Sequence, residues 1–162
     1  MFPLEIETHA RLLIEEVRDR HLRIVTAESC TGGLVAGAIC SIPGASDVFE
    51  RGFVTYTNRA KEEMLGVAGD MLADFGAVSE PVARMMAEGA LANSRAHIAV
   101  AITGVAGPGG GSPMKPVGTV HLATARSTAG IRHRHEVFDG PNRLDIQLAA
   151  VAVALEMLRE AL

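Results

Sequence analysis

Helical and strand-like patterns alternate along the first two-thirds of the chain, and three strand-like segments then follow one another. The predicted order of elements is α-β-α-β-α-α-α-β-β-β-α. Alternation of helices and strands favours parallel strand pairs with helices on both faces, whereas consecutive strands favour antiparallel pairs. The pattern therefore predicts an α/β fold, a three-layer α/β/α sandwich with a mixed parallel/antiparallel sheet.

The spacing of apolar residues distinguishes the helices from the strands. The predicted helices span residues 3–20, 32–41, 59–67, 68–78, 79–96 and 140–162. The predicted strands span residues 22–28, 48–58, 97–104, 117–125 and 131–139. A turn is expected at 42–46, and the clearest loop is the Gly/Pro-rich segment 105–116. A length of 162 residues without an evident linker predicts one domain over residues 1–162.

Composition and charge argue against several classes of protein. With 19 acidic and 15 basic residues, the net charge of -4 gives no support for nucleic-acid binding. No apolar run approaches the roughly 20 residues of a membrane helix, and the N-terminus lacks a signal-peptide pattern. Two cysteines are too few for a disulfide framework. The sequence therefore predicts a cytoplasmic protein with neither a nucleic-acid nor a membrane partner.

The stretch TAESCTGGLVAG, residues 26–37, puts small reactive side chains between a predicted strand and a predicted helix. Ser29, Cys30 and Thr31 are each candidate nucleophiles at this turn. The first N–H groups of a helix lack internal partners and lie at the positive end of the helix dipole, so they could receive a developing oxyanion. The alternative is structural: a Ser/Thr helix cap, a glycine-assisted helix start and a buried cysteine.

A lysine and a tyrosine lie at the next junction of a strand and a helix, in the stretch TYTNRAK. Lys61 could act as a general base if desolvation or a nearby cation lowers its pKa, and Tyr56 lies five residues before it. The alternative is a solvated lysine on a surface helix, since most lysines are exposed.

The loop at 105–116 follows a buried strand that carries Thr103, and it also carries Ser112 and Lys115. Its backbone amides could surround an anionic or polar substrate, and the alternative is a flexible connection between strands. The loop is not a Walker A motif, because no GK[ST] completes one. Arg143, in the first turn of the last predicted helix, opposes the helix dipole and hints at a phosphate or carboxylate ligand.

No metal site is predicted. His133 and His135 share one face of a strand, and His121 would be the third ligand, but no carboxylate or cysteine is placed to join them. A polar outer face of an edge strand is the favoured interpretation. Cys30 and Cys40 are ten residues apart without a CxxC motif, which argues against zinc.

Together these stretches resemble the CinA C-terminal domain family. The motifs that carry the resemblance are TAESCTGGLVAGAICSIPGAS, FxRGFVTYTNxxKxxxLGV, GAVSEPVARMMAEGA, AVAITGVAGPGGGSPMKPVGTVHLA and the NR before the last helix. They are long, ordered and spread from about residue 4 to residue 160, so the resemblance is more specific than one glycine signature. It makes the catalytic interpretation of ESCTGG much stronger than the structural one.

Stand-alone members of this family remove the amide group of nicotinamide mononucleotide, giving nicotinic acid mononucleotide and ammonia. The resemblance implies Ser29 as nucleophile, Lys61 as its base and Tyr56 as a hydrogen-bonding organiser of that pair. It implies substrate or oxyanion contacts through Thr31, Gly32, Gly33, Thr103, Gly104 and Gly107, with Arg143 on the phosphate. No cofactor and no metal are expected. Functions of the N-terminal domain that many family members carry are not transferred, and roles in competence or DNA damage gain no support from this composition.

The sequence leaves two other functions open. One is a non-catalytic nucleotide-binding module in which the glycines and the helix start hold a phosphate. The other is a hydrolase with the same mechanism and a different amide substrate. Replacing Lys61 by Ala separates the first from an amidase, because an amidase would lose turnover and a binding module would lose affinity. Apolar helix faces at 32–41 and 145–158 suggest a homodimer or a higher homo-oligomer.

Overall fold

The computed structural model describes residues 2–162 and contains a five-stranded mixed sheet of order β2-β1-β3-β4-β5. The strands are β1 (Ile24–Glu28), β2 (Phe49–Val54), β3 (Ile98–Gly104), β4 (Thr119–Arg126) and β5 (Gly130–Val137). β1 pairs in parallel with β2 and β3, whereas β3, β4 and β5 pair antiparallel. The predicted mixed sheet is therefore confirmed, with its parallel part at the N-terminal strands.

Within residues 2–162, six α-helices cover the two faces of the sheet. They are α1 (Leu4–Asp19), α2 (Leu34–Cys40), α3 (Asn58–Leu65), α4 (Gly69–Phe75), α5 (Glu80–Ala92) and α6 (Arg143–Glu160). Helices α1, α2 and α6 pack together against one face, and α5, flanked by α3 and α4, packs against the other. The three-layer arrangement is as predicted.

Each face of the sheet has its own hydrophobic core. One core joins α1, α2 and α6 to the sheet, and the second lies beneath α5. All five residues of β1 are buried, because parallel central strands have helices over both faces. The apolar sides of α2 and α6 are used in the first core. Leu34 and Leu148 of these helices are only partly buried, and the association suggested for 32–41 and 145–158 stays a prediction.

The observed elements are shorter than the predicted ones, and side-chain caps explain two of the boundaries. β2 ends before Thr57, whose Oγ1 accepts a hydrogen bond from the Ala60 N–H and begins α3. α6 begins at Arg143 rather than at residue 140, because Asn142 Oδ1 accepts from the Asp145 N–H. A short 3-10 helix, Ala45–Asp47, lies at the predicted turn. None of the helices in residues 2–162 is long and apolar enough to cross a membrane.

The topology opens a crevice at the carboxyl ends of β1 and β3. The chain leaves β1 to form β2 on one side and later returns to form β3 on the other, so the strand order changes direction at β1. Ligands in open α/β sheets bind at such a point, just beyond the carboxyl ends of the strands. Ser29 directly follows β1 and the Gly/Pro-rich loop directly follows β3, so both lie at this edge.

Candidate active site

Two backbone hydrogen bonds hold the peptide groups on either side of Ser29. The Ser29 N–H donates to the Ile102 carbonyl of β3 at 2.9 Å, and the Ser29 carbonyl accepts from the Gly32 N–H at 3.0 Å. The turn then passes through Gly32 and Gly33, whose φ angles of 57° and 100° are left-handed and favour glycine. The sequence stretch therefore forms the strand–turn–helix arrangement that was predicted.

Lys61 is buried against Ser29. Its side chain is on α3, and the residue is only 1% exposed. Its Nζ lies 3.0 Å from Ser29 Oγ and donates to the Thr55 carbonyl at 2.8 Å. Burial lowers the pKa of Lys61 below its ordinary value of 10.5, because the ammonium loses hydration that these contacts replace only in part. The alternative of a solvated surface lysine is therefore wrong.

Of the three candidate nucleophiles, only Ser29 has this arrangement with a base. Desolvation raises the pKa of Cys30 to about 12, so its thiol is protonated and weakly nucleophilic at neutral pH. Thr31 is 1% exposed, and its Oγ1 donates to the Glu28 carboxylate at 2.8 Å. The geometry thus selects the Ser29 hydroxyl as the group that can transfer a proton to Lys61.

The amino end of α2 is occupied by a carboxylate of the same chain. Glu28 is fully buried, and its two carboxylate oxygens accept from the N–H groups of Val35 and Ala36 at 2.9 and 3.0 Å. The sequence pattern predicted that the free amides of this helix start would receive an oxyanion or a phosphate. Glu28 already supplies the negative charge there, so that expectation does not fit the structure.

The predicted backbone contacts include the three residues after Cys30, next to the cavity-lining Ser29. The Gly32 N–H is already bonded to the Ser29 carbonyl and is not free to receive an oxyanion. Thr31, Gly32 and Gly33 are not among the residues that line the cavity. The prediction of a Gly32 amide contact therefore does not fit this geometry, because that donor is engaged within the turn.

A cavity of about 300 Å³ opens over Ser29 and Lys61. Its walls come from six parts of the chain: the Ser29 turn, the segment before α3, the segment before α5, the end of β3, the loop that follows β3, and the start of α6. The further lining residues are Cys30, Tyr56, Ala77, Val78, Thr103, Gly104, Val105, Ala106, Gly107, Gly109, Gly110 and Arg143. Thr103 is 1% exposed, and its Oγ1 donates to the Ala77 carbonyl at 2.8 Å. The structure therefore brings the predicted Thr103, Gly104 and Gly107 to the same cavity as Ser29.

Arg143 and Tyr56 meet at the mouth of the cavity. The Arg143 guanidinium donates to the Gly107 carbonyl and to the Tyr56 hydroxyl, both at 2.6 Å. Tyr56 is 57% exposed, and only its backbone carbonyl approaches Lys61 Nζ, at 3.4 Å. The resemblance implied that Tyr56 organises the Ser29–Lys61 pair, but its hydroxyl lies with Arg143 instead. The mouth therefore presents a guanidinium and a phenol, both able to donate hydrogen bonds to an anion.

Three histidines form a separate group on β4 and β5. The rings of His121 and His135 stack with centroids 4.4 Å apart, and His121 Nδ1 lies 3.0 Å from His133 Nε2. Parallel stacked rings do not direct their nitrogens at one point. Within residues 2–162, no group of His, Cys, Asp and Glu side chains is arranged to hold a metal ion.

Two residues that support the site were not predicted from the sequence. Glu28 is the last residue of a buried strand, and a buried carboxylate needs hydrogen-bond donors. An acidic residue at this place in the sequence could therefore have predicted that Glu28 binds nearby N–H groups. Gln147 of α6 donates to the Cys30 carbonyl at 2.8 Å. No local pattern marks Gln147, because the contact depends on how α6 packs against the sheet.

Comparisons with known proteins show which family this chain resembles. The family model described as "CinA C-terminal domain" matches residues 6–162. The chain is 51% identical over 144 residues to a protein of Escherichia coli (strain K12) named "Nicotinamide-nucleotide amidohydrolase PncC", covering 89% of this chain and 87% of that protein. It is 58% identical over 115 residues to a "CinA-like protein" of Akkermansia muciniphila, covering 71% of this chain and 28% of that protein.

Solved structures share the whole fold. The crystal structure of the competence/damage inducible protein CihA from Agrobacterium tumefaciens superposes with a TM-score of 0.97 at 53% identity, covering 99% of this chain and 97% of that one. A CinA superfamily protein from Escherichia coli superposes with a TM-score of 0.91 at 37% identity, covering 97% and 90%. The chain spans 28% and 39% of the length of two curated CinA-like and competence-damage relatives. On the strength of a match over residues 6–162, the chain belongs to the CinA C-terminal domain family.

Proposed function

We propose that this chain is a nicotinamide-nucleotide amidase that hydrolyses nicotinamide mononucleotide to nicotinic acid mononucleotide and ammonia. The observation that carries the proposal is the buried Lys61 Nζ lying 3.0 Å from Ser29 Oγ at the base of the cavity. The substrate is suggested by the printed name of the E. coli relative, which shares 51% identity with this chain. Amide hydrolysis through a serine ester consumes only water, so no cofactor is part of the proposal.

The reaction follows from the pairing of a hydroxyl with a desolvated amine. Neutral Lys61 takes the Ser29 proton as Ser29 Oγ attacks the carboxamide carbon, giving a tetrahedral oxyanion. Lys61 then returns the proton to the amide nitrogen, the C–N bond breaks, and ammonia leaves. Water attacks the resulting serine ester with Lys61 again as base, which releases the carboxylic acid and restores Ser29.

We assign the remaining predicted residues to binding. Arg143, with Tyr56 beside it, would hold the phosphate at the mouth, since guanidinium donors match phosphate oxygens. Thr103, Gly104 and Gly107 would hold the nucleotide along the cavity wall. Oxyanion contacts through the N–H groups of Thr31 and Gly33 stay predictions, although neither residue lines the cavity. Gly32 is left out because its N–H is bonded to the Ser29 carbonyl.

The two alternative functions, a phosphate-binding module and a hydrolase of another amide, differ in how well they fit the site. A module that merely holds a phosphate on the start of α2 is disfavoured, because Glu28 already occupies that helix end. A hydrolase of a different amide uses the same Ser29–Lys61 pair, so a panel of amides must separate it from the proposal. A cytoplasmic location and a homo-oligomeric state also remain predictions.

The test is ammonia release from nicotinamide mononucleotide by the wild type and by Ser29→Ala, Lys61→Ala and Cys30→Ala. We expect both Ser29→Ala and Lys61→Ala to lose at least about a thousandfold in turnover with nucleotide affinity largely kept. Cys30→Ala is the matched control and should stay within a few-fold of the wild type. Unchanged release by Ser29→Ala would contradict the mechanism and point to Cys30 or Thr31. Binding without release by the wild type would favour a binding module or another amide.

A further inference from the structure

Gln147 connects the C-terminal helix to the turn that carries Ser29. Its Nε2 donates a 2.8 Å hydrogen bond to the Cys30 carbonyl, although the two residues are 117 positions apart. Gln147 lies four residues after Arg143 on α6, so the two side chains extend from the same side of the helix. One helix thus contacts the nucleophile turn through Gln147 and the cavity mouth through Arg143.

Other hydrogen bonds hold the Ser29 turn on both sides of the peptide unit between Cys30 and Thr31, but they do not hold the carbonyl of that unit. The Ser29 N–H and carbonyl are bonded to Ile102 and Gly32, and Glu28 holds the Thr31 hydroxyl. The peptide between Cys30 and Thr31 is held at its carbonyl by Gln147. Since a peptide is planar, fixing that carbonyl also fixes the direction of the Thr31 N–H.

We propose that Gln147 is a positioning residue that keeps Ser29 Oγ within hydrogen-bonding distance of Lys61 Nζ by holding the Cys30 carbonyl from α6. A displacement of about 1 Å at a reacting group can cost on the order of a hundredfold in rate. Loss of the Gln147 bond lets the Cys30–Thr31 peptide rotate, which moves the Ser29 backbone against Lys61. The inference rests on the proposed function only in taking Ser29 as the nucleophile.

The test measures Ser29 reactivity directly, with a fluorophosphonate probe whose labelling does not depend on which amide is the substrate. In the labelling step Ser29 Oγ bonds to phosphorus, fluoride leaves, and Lys61 takes the hydroxyl proton. Gln147→Glu keeps the length of the side chain and removes the donor, because a carboxylate only accepts. Gln147→Met removes polarity at similar volume. Glu156→Gln, a carboxyl–amide exchange elsewhere on α6, is the matched control.

We expect Gln147→Glu to label at least tenfold more slowly than the wild type, Gln147→Met to be intermediate, and Glu156→Gln to match the wild type. Affinity for nicotinamide mononucleotide, measured by calorimetry, should stay within threefold. A labelling rate of Gln147→Glu within twofold of the wild type would overturn the inference. So would a slow rate accompanied by a tenfold loss of nucleotide affinity or a collapsed thermal transition, since the variant would then disturb the whole cavity.

Failure of the proposed substrate gives a different result. A wild type that labels at Ser29 but releases no ammonia from nicotinamide mononucleotide would contradict that substrate. A tenfold slower labelling of Gln147→Glu would still support the role of Gln147 in that case. The two hypotheses therefore fail through separate measurements.

Discussion

At the scale of single residues, the buried amine of Lys61 determines how activity should depend on pH. Lys61 acts as a base only when neutral, and burial lowers its pKa below 10.5. We therefore expect kcat/KM to rise with pH, with a midpoint below the ordinary lysine value, in a pH–rate profile of the wild type. Lys61→Arg should be inactive at every pH, because a guanidinium does not deprotonate in proteins. A flat profile would contradict the role of Lys61 as the base.

The same pKa shift gives a second readout in stability. Between the lowered pKa of the folded state and 10.5, the unfolded chain binds a proton at Lys61 that the folded chain does not. Stability of the wild type therefore gains a term that grows as pH rises through this window. The unfolding free energy of the wild type minus that of Lys61→Met should increase with pH, because the methionine variant lacks the term.

Local sequence predicted Ser29 and the glycines of its turn, because a strand ending in small residues before a helix is a local pattern. It could not decide between a surface and a buried Lys61, since the burial of α3 depends on its packing beside α5. Nor could it find Gln147, whose partner is 117 residues away. Local periodicity and residue spacing do not predict contacts that depend on how distant elements pack together.

At the scale of elements, two helical glycines should respond oppositely to replacement by alanine. A Cβ on Gly89 of α5 would overlap the Leu65 carbonyl oxygen, so α3 and α5 would have to separate. A Cβ on Gly37 of α2 would meet only the Phe2 ring, at 3.6 Å. Gly89→Ala should lower the free energy of unfolding by about 1–3 kcal/mol through overpacking. Gly37→Ala should raise it by up to about 1 kcal/mol, because alanine has the higher helix propensity.

Urea unfolding followed by circular dichroism checks both variants under the same conditions. Equal effects of the two substitutions would contradict the close approach of α3 and α5. A loss of ammonia release in Gly89→Ala that exceeds its loss of folded protein would indicate a further effect, because α3 carries Lys61 and moves with this contact.

At the scale of the whole molecule, the sheet connects the cavity to the histidine group. Thr103 of β3 is directly opposite His121 of β4, which is directly opposite His135 of β5. Residues opposite each other in an antiparallel pair share a face of the sheet. His121, His133 and His135 therefore lie on the face covered by α5, where Glu80 Oε2 is 3.5 Å from His133 Nδ1. The predicted polar outer face fits His135, which is exposed, but His121 and His133 are partly buried because α5 packs beside β5.

Acid should destabilise the fold through this group. Burial first, and then the charges of His135, His133 and Lys115, lower the pKa of His121 from 6.5 to about 4. Burial and the Arg84 and His135 charges likewise lower the pKa of His133, although Glu80 opposes that shift. Between pH 6.5 and about 4 the unfolded chain binds protons that the folded chain does not. The contribution of this group to the free energy of unfolding is therefore fully present above pH 6.5 and is lost as the pH falls toward 4.

The measurement compares wild type, His121→Gln and His21→Asn by urea unfolding between pH 4.5 and 7.5. His121→Gln should show a shallower fall of unfolding free energy with acid, because it removes a group whose pKa differs between the two states. His21→Asn removes an exposed imidazole that follows α1 and lies on neither β4 nor β5, and it is the matched control for the loss of a histidine. Carboxylates titrate in all three proteins, so the difference between slopes isolates the histidine group. Identical slopes for His121→Gln and the wild type would show that the group does not couple folding to pH.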